Sequence, residues 1–346
     1  MKWLLIACII VCGAAIMFSP ITHQSQDDTK SRYQTLLPEL KQHINDVDRI
    51  TVQRGDEDIT LYMDNAQQWR VKEAENYPAS STEIRKLLLY LSQSQLRNTK
   101  TANPELLPRL KLDDEQVSVL TLWRGDDILH RILLGKITPE KTGTYVRLSS
   151  DESQSYVASG RIEVSTNPLD WLFYDLFSIN TSRVRNIEYA LDGYKPYRHT
   201  RSSPDTALMF EPLAGDKELQ QRYQILSPAA FIEKLNFTDV VPIAKADGEA
   251  LGTIVVTTFD GLNITFTLYQ VEYQQYFAIS ATADEAMYQK VNNTMQDFTI
   301  TRQEAAAINE RTAGWLYQLG QYHTNQLTKS YFDMVQDKTD TQGNTP

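Results

Sequence analysis

The sequence predicts an α+β fold, in which two tandem, similar β-meander/helix/β-hairpin units follow an N-terminal transmembrane helix. Three observations predict it. Short alternating runs rich in Val, Ile, Thr and Tyr are split by Gly-Asp and Asp-Asn turns, which is the patterning of strands and tight turns. Ile84, Leu87, Leu88 and Leu91 recur at i, i+3, i+4 and i+7, the apolar stripe of a helix. The same order of signals then returns in the second half, and such a recurrence decides architecture before any motif does.

Residues 1–21 open the chain as a signal anchor. Lys2 precedes a charge-free run from Trp3 to Phe18, which is an export signal and stands outside the fold argument. Three readings fit the run. An uncleaved span is slightly short of the roughly 20 residues a bilayer needs, but Pro20 and Ile21 extend the apolar zone. A cleaved signal peptide ending at Gly13-Ala14-Ala15 leaves Ile16-Met17-Phe18 as a greasy new end. A lipoprotein signal at Leu5-Ile6-Ala7-Cys8 has only the five residues after Lys2 as its hydrophobic region. The span fits best, and Lys2 on the cytoplasmic side puts the body in the periplasm, anchored in the inner membrane by a single pass.

Residues 22–46 read as a polar tether and a short helix. The first repeat covers 47–165. Arg49–Arg54, Ile59–Tyr62 and Trp69–Val71 form its meander. Ser80, three before Glu83, supplies a capping box for the striped helix. Val117–Trp123 and Ile128–Leu134 form a hairpin, and Tyr145–Leu148 and Ser155–Val157 add strands. Residues 166–183, with Trp171, Leu172, Phe173, Leu176 and Phe177, are too apolar for a free linker. The second repeat covers 184–300. Val184–Tyr189 and Ala207–Phe210 read as strands, and Ser227-Pro228 caps a helix over Ala229–Leu235. Gly252–Phe259 and Leu262–Leu268 form the second hairpin. Ile84 and Leu88 fall opposite Phe231 and Leu235 at one constant offset. Trp123, Gly125, Ile128 and Ile132 fall opposite Phe259, Gly261, Ile264 and Leu268 at another. Residues 301–336 close the body, and 337–346 read as a disordered tail.

Charge and cysteine content narrow the function. With 34 basic and 44 acidic residues the net charge is −10, and no basic face is available to neutralise phosphates, so nucleic acid is excluded as a partner. The two cysteines, Cys8 and Cys12, both lie in the apolar run, so the body has no disulfide framework, Cys zinc site or thiol nucleophile. The five histidines, His23, His43, His130, His199 and His323, include no i, i+4 pair and no HExxH. Nucleophile-elbow, P-loop and dinucleotide motifs do not occur. Asp113-Asp114-Glu115 and Asp126-Asp127 lack the alternating ligands of a calcium loop, and the second pair sits on a hairpin turn. Asn180, Asn236, Asn263 and Asn292 each open a glycosylation sequon, of which Asn263 falls within a strand. No catalytic residue, cofactor or metal ligand emerges. Trp315, Tyr317 and Tyr322 in the closing segment stand out as residues for contact with a partner.

Several motifs fall in a familiar order. Ile50-Thr-Val precedes Trp69-Arg-Val, Tyr77 and the Ser81-to-Leu91 helix. Leu134-Gly135-Lys136, Tyr145-Val-Arg-Leu148 and Tyr156-Val157 follow. Pro168-Leu-Asp-Trp171 precedes a second Val184-Arg-Asn-Ile187 strand, and Gly314-Trp-Leu-Tyr317 closes the series. This order resembles the domain of unknown function 4340 family, over roughly residues 47 to 330. The resemblance implies a single-anchor bacterial envelope protein, of a kind often encoded beside ABC-2-type permeases and gliding-motility-type auxiliary proteins. It implies a non-enzymatic accessory role with a transporter subunit as membrane-protein partner, and it transfers no active-site residue. A periplasmic lipid- or glycan-binding module is the alternative, and it needs a lined pocket.

Overall fold

The computed structural model describes residues 34–220, 228–290 and 297–338. The Trp3–Phe18 run, most of the tether, the Ser227 cap, Asn292 and residues 339–346 lie outside the described residues. Among the described residues no helix is long and apolar enough to cross a membrane.

The first half supplies β1 (Gln34–Thr35), β2 (Arg49–Arg54), β3 (Glu57–Met63), β4 (Trp69–Val71), β5 (Tyr77–Pro78), β6 (Gln95–Thr99), β7 (Ser118–Arg124), β8 (Asp127–Ile137), β9 (Gly143–Leu148) and β10 (Asp151–Ser159). They form one antiparallel sheet in the order β1-β6-β10-β9-β8-β7-β2-β3-β4-β5. The second half supplies β11 (Val184–Leu191), β12 (Tyr197–Thr200), β13 (Met209–Glu211), β14 (Lys217–Leu219), β15 (Phe237–Pro242), β16 (Gly252–Thr258), β17 (Leu262–Val271), β18 (Gln274–Ala283), β19 (Trp315–Leu319) and β20 (Val335–Asp337). Its large sheet runs β13-β12-β11-β16-β17-β18-β19-β15, and β14 pairs with β20.

The α+β expectation is corrected by this arrangement. Strand makes up 41% of the chain and is gathered into two large antiparallel sheets, not into compact meander/helix/hairpin units. The first reason is non-local pairing. β2 bonds to β7 across the intervening helix, and β6 bonds to β10, so meander and hairpin merge into one sheet. The second is the missing helix. Ala230–Ile232 is a single 3-10 turn where the sequence predicts a helix over Ala229–Leu235, because so short a segment is only marginally helical. The tail is also shorter than expected, since Asp337 ends β20 opposite Lys217. The two sheets also differ in strand order: the first ladder of the first sheet has four strands, β2 to β5, against three, β11 to β13, in the second, where β19 is inserted between β18 and β15.

The helix Ser81–Gln93 starts where the Ser80 hydroxyl accepts the Glu83 N–H at 3.3 Å. The reciprocal half of the capping box is absent, because the Glu83 carboxylate pairs with Lys86 at 2.7 Å instead. Its Ile84, Leu87, Leu88 and Leu91 join one core that runs through both sheets. Period-2 alternation puts Ile50 and Val52 of β2, Ile59 and Leu61 of β3, and Ile264, Phe266 and Leu268 of β17 on the core side. Trp171, Leu172, Leu176 and Ile179 of the connector are buried in the same core.

Candidate docking surfaces

The two sheets meet at an aromatic junction. Tyr77 of β5 lies edge-on to Trp315, Phe237 and Tyr317, with ring centroids 4.9, 5.9 and 6.2 Å away. Tyr174 stacks on Phe237 at 4.5 Å. The Tyr77 hydroxyl lies 3.4 Å from that of Tyr317, which donates to the Arg311 carbonyl at 3.2 Å. Burial pushes the Tyr77 phenol up to about 12 and raises that of Tyr317 further, so neither serves as an acid or base near neutral pH. Lys245 and Glu75 bridge the rim at 2.6 Å.

The three residues expected to meet a partner therefore do not share a surface. Tyr317 is fully buried at this junction and has no face left for a partner. Alternation along β19 explains this, since Tyr317 and Leu319 both point into the core. Trp315 is partly buried against Tyr77. Tyr322, 51% exposed, is the one of the three that offers most of its ring to solvent.

A second polar centre escaped the sequence reading. Arg183 donates to Asp260 at 2.6 Å and to both oxygens of Glu304 at 2.6 and 3.0 Å. The three come from the turn before β11, the β16–β17 loop and the helix Phe298–Thr312. Asp260 is buried, and its second oxygen and the Arg183 Nε have no partner. Burial works against the arginine's charge, but the hydrogen bonds from Glu304 and Asp260 outweigh it and hold its pKa above the ordinary value. Two carboxylates locked on one guanidinium form a clamp, and the buried Thr301 hydroxyl donates to Asp260 at 3.4 Å.

The other residues weighed for chemistry are dispersed. His43 pairs with Asp46 at 2.7 Å, and His323 contacts the Lys234 carbonyl at 2.9 Å. His130 sits in β8, where burial lowers its pKa. His199 lies among Tyr189, Tyr197 and Phe210. Asp127 faces Arg124 at 3.9 Å across its turn. Asn180 caps the turn at Ser182, and the Asn263 side chain accepts from Thr257. Among the described residues no group of three or more His, Cys, Asp or Glu side chains is placed to hold a metal.

What the second sheet does present is a broad outer face. Register places Ala190, Thr253, Thr267 and Ala278 in one cross-strand row, and Glu188, Val255, Thr265 and Ser280 in the next. Asn186, Thr257, Asn263 and Thr282 form a third. Glu188 is the one charge in these three rows, where Thr257 is buried, and on β12 and β13 its row continues into the ion pair Arg198–Glu211. The face is legible as polar alternation in the sequence, but its rows need the register of four strands.

A family model described as a domain of unknown function, DUF4340, matches residues 69–253. The chain belongs to the DUF4340 family. The match begins at the Trp69 strand and runs to β16, so it takes in parts of both sheets and the connector between them. No curated protein matches the chain, and no solved structure matches it.

Proposed function

We propose that this DUF4340 chain is a non-enzymatic accessory protein, anchored in the inner membrane by its N-terminal run with its body in the periplasm. In this reading it partners a subunit of an ABC-type envelope transport complex, and the outer face of the second sheet is the docking surface. The observation that carries the reading is the composition of that face. A chain of net charge −10 keeps three cross-strand rows almost free of charge. The cores of protein interfaces are depleted in charge in the same way, and a flat sheet face accepts another folded surface without loop rearrangement. The charge-free run after Lys2 supports the anchor and its orientation.

Two measurements test this. A photo-crosslinker is placed at Thr265, or at Thr60 on the first sheet as the control, in the full chain in its own membrane. The expected result is a crosslink from Thr265 to a permease subunit, abolished by Val255→Glu with Thr267→Lys. Equal yields from both positions, or a crosslink indifferent to the charges, would show the face is not the docking surface. A C-terminal alkaline phosphatase fusion is expected to be active; an inactive one places the body in the cytoplasm.

A further inference from the structure

A concavity of about 590 Å³ lies between the helix Ser81–Gln93 and the β3–β4 turn. Its apolar lining comes from Ile44, Met63, Trp69, Ile84 and Leu88, with Leu89 44% exposed at the rim. One charged residue, Arg85, reaches it; the other polar lining groups are neutral, and no acidic side chain lines it. Acidic residues outnumber basic ones by 44 to 34 in the chain, so their absence here is a local choice. Among the described residues Arg85 makes no hydrogen bond or ion pair, whereas its neighbour Lys86 is paired with Glu83.

We infer that this groove binds a single-chain anionic amphiphile, with the alkyl chain along the apolar floor and the carboxylate on Arg85. This goes beyond the docking reading and uses a different half of the molecule. Size and charge select the occupant. The volume lies within the ordinary range of small-ligand sites, about 300–1,000 Å³, and its apolar side chains, Val47 among them, stand beside Asn45, Gln67, Ser81 and Arg85. An extended alkyl chain is slim enough to lie along this groove, and an unpaired guanidinium at the mouth selects a carboxylate head over a neutral one. The groove wall at Ile44 begins ten residues after the first described residue, Gln34, and so lies close in sequence to the proposed anchor.

The test uses the full chain in amphipol and palmitate carrying a diazirine at its chain end. The expected result is saturable labelling of peptides containing Ile44, Met63 or Leu88, displaced by palmitate and about tenfold less well by 1-hexadecanol. Each buried methylene multiplies affinity about fourfold, so myristate should compete roughly an order of magnitude more weakly than palmitate. Arg85→Glu should lower labelling about tenfold while Arg85→Lys retains most of it. Arg85 is exposed and unpaired, so both variants should melt like the parent. Labelling spread evenly over the chain, unchanged in Arg85→Glu, or competed equally by palmitate and hexadecanol would overturn the inference. None of these outcomes bears on the second-sheet face. Loss of the Thr265 crosslink with groove labelling intact would count against the docking reading alone.

Discussion

Replacing Arg183 by leucine should be among the most damaging single changes in the second half. The substitution removes three charge-assisted hydrogen bonds, at 2.6, 2.6 and 3.0 Å. It also leaves Asp260, whose side chain is 2% exposed, as a buried carboxylate without its counter-charge. Removing one partner of a buried ion pair costs about 3–5 kcal/mol, mostly from the charge left behind. Glu304 is the calibrating comparison. Its side chain is 24% exposed, so Glu304→Gln loses strength in one arm of the clamp and strands nothing; about 1 kcal/mol is expected. Urea unfolding of the two variants against the parent measures both, with an unchanged slope confirming that the same surface unfolds. Hydrogen exchange should locate the loss in the helix Phe298–Thr312 and the β16–β17 loop, the two elements the clamp joins to the start of β11. If Arg183→Leu cost less than about 1 kcal/mol, or no more than Glu304→Gln, the clamp would not be what fastens that helix.

Three further outcomes follow from the packing. Burial, with Lys329 nearby, pushes His199 down to about 4, while an unfolded histidine titrates near 6.5; the unfolded chain therefore binds the extra proton. The stability this residue contributes is complete above about pH 6.5 and is lost towards pH 4, by on the order of 3 kcal/mol, so His199→Phe should flatten that part of the pH–stability curve relative to the parent. Asn309 takes up the free edge of β18 by accepting from Ala281 N at 2.8 Å and donating to Ala281 O at 2.7 Å; Asn309→Ala should cost about 2 kcal/mol and speed exchange of the Ala281 amide. Phe237→Ala opens a void among Tyr77, Tyr174 and Tyr317, and should cost about 3–5 kcal/mol in thermal or urea melts; a loss under about 1 kcal/mol would mean the junction does not hold the sheets together.

What was legible in the sequence is what local patterning controls. The stripe Ile84, Leu87, Leu88 and Leu91 is the buried face of its helix, and the Val117–Leu134 alternation is the β7–β8 hairpin. Pairing across long separations has no such signature. Nothing local says that β2 bonds to β7, or that Tyr317, read as a contact residue, points at Tyr77 from 240 residues away. Arg183, Asp260 and Glu304 were missed for the same reason, with separations of 77 and 121 residues from the arginine. The expected helix at Ala229–Leu235 failed differently. Its apolar residues are buried as predicted positions of a core, but Phe231 and Ile232 reach that core from a single turn, so burial and helicity parted.

The strand edges decide between two ways this protein could meet a partner. Exposed edges invite added strands, and proteins that avoid this keep edge strands short, covered or interrupted by proline. Here β1 and β5 are two residues each and β13 is three. β5 is further occupied by the aromatic junction, β15 closes on Pro242, which has no N–H to offer, and β14 and β20 of the small sheet are three residues each. Beyond Phe277 the open flank of β18 is taken by Asn309. Among the described residues the strand edges are short or interrupted, which makes strand addition a poor route to a partner. The side-chain face of the second sheet, four strands wide in register and carrying the one charge of Glu188, is the larger offer. Docking through it should then respond to charge placed at Val255 or Thr265 and not to proline placed in β13 or β1, whereas strand addition would respond in the opposite way.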